Sequence, residues 1–157
     1  MNQTQNTPPV PYPSAGLGKR LAAWVYDFFL LFAVSVAYGA LVLAIKVGVL
    51  GEVLAEGEKA SLGPLGFIGW LMVLIAFYCL FWRRFGQTLG MKAWRLKITD
   101  TQGEHPSIAR GALRCVLATA SMALLGLGYL WLWFDPEHLT LHDRLSGTRV
   151  WQLPKGH

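Results

Sequence analysis

LAAWVYDFFLLFAVSVAYGALVLAI, residues 21–45, holds a single charged side chain, Asp27, in an otherwise apolar run. As a helix it would extend roughly 37 Å at about 1.5 Å per residue. A hydrocarbon core is about 30 Å thick, so the run can cross a bilayer with some tilt. A second apolar block, about 64–82, has Trp70 within it and Trp82 at an interfacial end, and stops abruptly at Arg83-Arg84. A third runs from about 112 to 134; Gly126-Leu127-Gly128 interrupts it and Asp135-Pro136 ends it.

The remaining composition agrees with a membrane reading. The chain has 157 residues, room for one domain. Apolar residues make up 54% and charged residues 15%, whereas soluble domains are nearer a quarter charged. The net charge of +5 has a location. Lys19 and Arg20 precede the first block, and the segment 83–111 sets Arg83, Arg84, Lys92, Arg95, Lys97 and Arg110 against Asp100 and Glu104. The link 46–63 is acidic, with Glu52, Glu56 and Glu58 against Lys46 and Lys59. Basic flanks hold the cytoplasmic side, so the N-terminus and 83–111 are expected in the cytoplasm and 46–63 outside, in a multi-pass protein. The lipid bilayer is the expected partner of these cations; there is no signature of nucleic-acid binding, and no nucleic-acid partner is expected.

Residues 1–18 are polar and rich in Pro, Thr and Asn, and read as a disordered tail. The first block is too long for a cleavable signal core and reads as an uncleaved anchor. The membrane domain is then 19–153. Cys79 and Cys115 lie in apolar blocks without CxxC spacing and read as packing residues.

After the second block, Trp94, Leu96 and Ile98 alternate with Arg95, Lys97 and Thr99, which is strand periodicity. Asp100-Thr101-Gln102-Gly103 follows as a turn. Thr148–Leu153 is a second β-prone run, and the two runs are expected to pair, since a lone strand leaves its backbone groups unmet. Pairing requires both on one side of the membrane, which favours a bent or re-entrant third block over a third crossing. The expected fold class is therefore an all-α membrane protein. It has two transmembrane helices, a third hydrophobic helical segment that is crossing or re-entrant, and a short two-stranded cytoplasmic β pairing.

Asp27 lies about six residues into the first block, roughly 9 Å deep on the helical rise. A carboxylate at mid-bilayer costs about 2.5–3.5 kcal/mol on insertion scales and calls for a partner, water or a proton. Arg20 lies seven positions earlier on nearly the same face, roughly 10.5 Å away along the axis, too far for a relaxed pair, and is expected to snorkel to head groups. Arg20, Trp24, Asp27 and Tyr38 form a stripe expected to face protein. Arg114 is the expected mate of Asp27, with Arg83 or Arg84 as alternatives. Such a centre is either an ion or proton site or a structural buried pair.

His138 and His142 are four apart and would share a helix face suited to a divalent ion, with Pro136 as a helix start. No third ligand is forced by spacing and no HExxH is present, so no metal and no cofactor is assigned. Gly86-Gln87-Thr88-Leu89-Gly90 lacks the GK[ST] of a phosphate loop and reads as a tight turn. No nucleophile constellation is evident, so an enzyme is not expected.

Several ordered motifs together resemble one family. GKRLAAWVYDFFLL (18–31) resembles the opening of the RDD family of membrane proteins, whose signature is an arginine at the start of the first span and two aspartates; Arg20 and Asp27 match the first two. GQTLGMKAWRLKITDTQGE (86–104) is similar to the family's segment after its second span, and GALRCVL (111–117) brings in Arg114. DPEHLTLHDRLSGTRVW (135–151) resembles the closing motif, with Asp143 as the second aspartate. The resemblance implies transport of a cation or small solute, a role proposed for the family and linked in some members to sodium/proton exchange. Asp27 would be the titrating or ion-contacting group, Arg20 and Arg114 its electrostatic surroundings, and Asp143 a cytoplasmic anchor. Two or three spans are few for a transport path, so a homo-oligomer or a membrane partner is expected to complete it. The competing expectation is a membrane scaffold, an assembly or stress factor that binds a partner protein or anionic lipid.

Overall fold

A computed structural model describes residues 12–51 and 61–155. The expected tail at 1–11 and most of the acidic link fall outside the described residues. Two long helices dominate: α1, Leu17–Gly48, and α2, Gly63–Phe85. Both are long and apolar enough to cross a membrane. α2 opens with Pro64 in its first turn, where a missing N–H costs nothing. It closes at Gly86, whose φ of 67° suits a residue without a side chain. Arg83 and Arg84 sit in its last turn, against the negative end of the helix dipole.

The chain then builds a compact cap. α3 (Leu89–Ala93) is opened by the Thr88 side chain, which accepts from the Met91 N–H. β1 is Leu96–Asp100. α4 (Ile108–Ala123) is opened by Ser107, accepting from the Arg110 N–H. Leu125 and Gly126 then take positive φ angles, and α5 (Leu127–Leu130) with a following 3-10 turn leaves at 107° to α4. α6 (Leu141–Ser146) begins with a reciprocal box, Thr140 with Asp143. β2, Thr148–Gln152, completes the chain's regular structure.

β1 and β2 pair antiparallel, with Leu96 opposite Gln152, Ile98 opposite Val150 and Asp100 opposite Thr148. The expected strand pair forms, shifted inward by the turn at Arg95, whose φ is 55°. The start of the chain joins it: Ser14 bridges Trp151, and the Ala15 N–H donates to the Val150 carbonyl at 2.9 Å. Within the tail expected over 1–18, residues 13–15 are held on the sheet edge by backbone hydrogen bonds. The bend in the third block returns the chain to the cap, where β2 meets residues 13–15.

The hydrophobic core lies in this cap. Ala15, Ala23, Trp82, Met91, Leu96, Ile98 and Val150 pack together, with Tyr78 and Cys115 against them. Only the first three turns of α1 contribute: Arg20, Ala23 and Asp27 are buried and nothing beyond Asp27 is. Residues 28–48 measure roughly 31 Å at about 1.5 Å per residue, matching a hydrocarbon core, and they expose Phe29, Phe32, Val36 and Leu41. On this reckoning Asp27 lies where α1 emerges from the cap, shallower than its sequence position implied. The expected stripe holds except at Trp24: Arg20 and Asp27 are buried and Tyr38 faces α2, donating to the Gly66 carbonyl at 2.9 Å, but Trp24 is 48% exposed and Ala23 takes its place in the buried line.

Candidate functional site

Helical spacing puts Arg20 and Asp27 on one face of α1, and the cap closes over that face with two separate polar centres. The first surrounds Asp27, which is 2% exposed. The Thr88 hydroxyl donates to its Oδ2 at 2.5 Å and the Gly90 N–H to its Oδ1 at 2.9 Å. The carboxylate thereby serves the open N-terminus of α3. Gly90 is required by the approach: a Cβ there would strike the Ala23 carbonyl oxygen and lie 2.9 Å from the Asp27 carboxylate. The expected Asp27–Arg114 pair does not form. A hydroxyl and a backbone N–H answer the acid, and Arg114 is engaged elsewhere.

That engagement is the second centre. Asp143 is fully buried. Its Oδ2 accepts from Arg20 Nη1 at 2.5 Å and from the Thr140 N–H at 3.1 Å; its Oδ1 accepts from Arg114 Nη1. Arg20 also donates through Nε to the Ala15 carbonyl at 2.8 Å, and Arg114 to the Thr148 hydroxyl at 2.7 Å. The Arg114 guanidinium stands 5.5 Å over the Trp82 ring, an arrangement favoured by the ring's electron-rich face. Arg20 is therefore no snorkelling cation: it is 9% exposed, held by a carboxylate 123 positions away in sequence.

The helix dipole, the box at Thr140 and two guanidiniums all favour the charged form of Asp143. Burial works to raise its pKa; Arg114 and Arg20 more than reverse this and hold it well below the usual carboxylate range. His142, the next residue back, is 2% exposed. Burial, reinforced by Arg114, pushes its pKa down to about 3, leaving a neutral imidazole. Its ring lies edge-on to Tyr129, centroids 4.5 Å apart.

His138 and His142 do not share a helix, because α6 starts only at Leu141. The expected start at Pro136 is taken by a turn in which Asp135 Oδ2 accepts from the Glu137 and Leu139 N–H groups. Among the described residues no group of three or more metal-ligating side chains gathers. Gly86–Thr88 forms the expected turn. Sequence reasoning missed Thr88, Gly90, Thr140, Tyr129 and Thr148. Thr140-x-x-Asp143 was a findable signal, since an N-cap hydroxyl followed three residues later by an acid marks a helix start. The others are brought in by packing alone.

Against known proteins, the RDD family model matches residues 14–147. That span takes in α1 with Arg20 and Asp27, and α6 with Asp143. No curated protein and no solved structure matches the chain.

Proposed function

Because the chain belongs to the RDD family, and so to a family of membrane proteins, we propose that it is a multi-pass subunit of a bacterial inner membrane that handles a small solute at the Arg20–Asp143–Arg114 centre. Its N-terminus and cap lie in the cytoplasm, α1 and α2 cross, and the bent third block re-enters. The basic segment 83–111, which includes β1, supports the orientation.

The observation that carries this reading is a charged centre buried under the membrane face with polar atoms left over. Arg20 Nη2, Tyr78 Oη, Trp82 Nε1 and His142 Nδ1 are enclosed without hydrogen-bond partners among the described residues. Buried polar groups are normally satisfied, and each exception asks for a reason. Asp27 is the weaker candidate for the working group, since Thr88 and Gly90 occupy both its oxygens. A transport path needs more walls than two helices offer, so copies of the chain or a membrane partner complete it. No enzymatic step is part of this reading.

Proteoliposomes of the full chain provide the test. Under imposed gradients, flux of Na⁺, H⁺ or a small anion is expected, and Tyr78→Phe, which deletes one of the unmet groups, should lower it severalfold while the protein stays folded. Absence of flux for every species, in protein shown to be folded, defeats the proposal. A second reading, a scaffold that binds a partner or anionic lipid, draws on the fixed pairing of both aspartates. A stoichiometric co-purifying membrane protein, without flux, would favour it.

A further inference from the structure

The Arg20–Asp143–Arg114 centre is short of negative charge. Two guanidiniums, with side chains 7% and 8% exposed, share one carboxylate. His142 adds no compensation, being neutral. Asp27 is two turns along α1, roughly 10.5 Å from Arg20 by helical rise, with both oxygens spent on Thr88 and Gly90. A charge buried in a low dielectric without a counter-charge is expensive.

The unmet atoms have the matching character. Arg20 Nη2 and Trp82 Nε1 can only donate, and the Tyr78 hydroxyl can donate. Contacts link them in a chain: Asp143 joins Arg20 to Arg114, Arg114 stacks on the Trp82 ring at 5.5 Å, and the Tyr78 and Trp82 rings, one turn apart on α2, have centroids 5.2 Å apart. The Tyr129 ring lies edge-on to His142, next to Asp143 in the chain, with centroids 4.5 Å apart. Surplus donors around surplus positive charge describe a site for an acceptor that is itself negative. Water would satisfy the donors and leave the charge. A metal cation would add to it.

We infer that Arg20 and Arg114, with the N–H of Trp82 and the hydroxyl of Tyr78, bind a small exchangeable oxyanion beside Asp143, one carrying a single negative charge, of carboxylate or dihydrogen phosphate type. The inference rests on the solute-handling reading of this centre and narrows it: the solute is an anion. The single charge follows from the count, because a dianion would overshoot the deficit and repel Asp143. A free ion and the phosphate of a lipid head group offer the same chemistry.

The test uses the full-length protein in digalactosyl-diacylglycerol nanodiscs, whose lipid carries neither charge nor phosphate. Sodium phosphate and sodium acetate are titrated against sodium chloride at equal ionic strength, with thermal stability and NMR line broadening of the anion as readouts. A second preparation replaces part of the lipid with phosphatidylglycerol. Saturable stabilisation by phosphate or acetate supports a free oxyanion; stabilisation by phosphatidylglycerol alone assigns the site to a head group. Tyr78→Phe and Trp82→Phe each delete one unmet donor. Tyr78→Phe should hold or gain stability without anion, because a buried unsatisfied group is removed, whereas Trp82→Phe also shrinks a core ring under Arg114 and should lose stability; in both, anion binding weakens about tenfold. A merely structural role moves stability and leaves the affinity alone.

Absence of saturable binding to free oxyanion and to phosphatidylglycerol overturns the inference, as does equal affinity in both variants. Its failure is separable from that of the function. Binding without flux in liposomes keeps the site and removes transport; sodium or proton flux without anion binding keeps transport and removes the anion.

Discussion

Asp143 gives one oxygen to each of two arginines, so the energetics depend on which member is removed. Asp143→Asn leaves two guanidiniums facing each other in a closed space. Breaking a buried pair in this way costs about 3–5 kcal/mol, read as a lowered unfolding midpoint in detergent or loss of folded protein on expression. Asp27→Asn should cost roughly 1 kcal/mol, because an amide still accepts from the Gly90 N–H and can donate to the Thr88 hydroxyl. The charge exchange Asp27→Arg with Arg114→Asp should not rescue folding, since the two residues answer different partners. Acidity adds a further check. His142 and Asp143 both have pKa values lower in the folded than in the unfolded chain. The unfolded state therefore binds more protons, and stability falls as pH falls. His142 acts between its ordinary 6.5 and about 3, a loss of roughly 2 kcal/mol by pH 5; Asp143 adds to this below its ordinary 3.8. Unfolding midpoints at pH 7.5 and 5 should differ accordingly, and His142→Gln should flatten that interval.

Among elements, α3 is the one the cap turns on. Five residues long, it is far too short to be stable alone and persists because Thr88 and Asp27 satisfy its first turn while Gly90 lets it lie on α1. Gly90→Ala should therefore destabilise by about 1–3 kcal/mol through overpacking. Gly18→Ala provides the contrast. It lies in α1 with open space around its Cβ position, so the better helix former should be neutral or stabilising by up to about 1 kcal/mol. Thermal unfolding of the two variants side by side tests the local geometry. β1 and β2 were readable as strands because their side chains alternate, with Leu96, Ile98 and Val150 turned inward. α3 was not readable, because a single turn carries no periodicity.

For the molecule as a whole, the sheet decides the path of the chain. Backbone hydrogen bonds among residues 13–15, β1 and β2 hold the start, the middle and the end of the chain at one place. Topology reporters placed before Tyr12, within Thr101–Glu104 and after His157 should all report the same compartment, and a reporter in 52–60 the opposite one. A C-terminal reporter on the far side would mean a third crossing and would dissolve the strand pair. The 107° bend of the third block also leaves Leu125, at 92% exposure, and Phe134, at 79%, as an apolar shoulder, suited to burial among acyl chains.

From the sequence alone came the two long apolar helices, the basic segments and the strand pair, and the family resemblance marked Arg20, Asp27, Arg114 and Asp143 as candidate site residues. These are legible because they are local or compositional: a bilayer dictates length and hydropathy, and a pleat dictates alternation. Who pairs with whom was decided by the fold. Arg20 and Asp143 stand 123 positions apart, and Arg114 and Asp143 stand 29 apart. From the sequence, Arg114 is expected beside Asp27. Only when the third block bends back and seats α6 beneath the start of α1 does one carboxylate meet both arginines, leaving Asp27 to a hydroxyl and a backbone N–H.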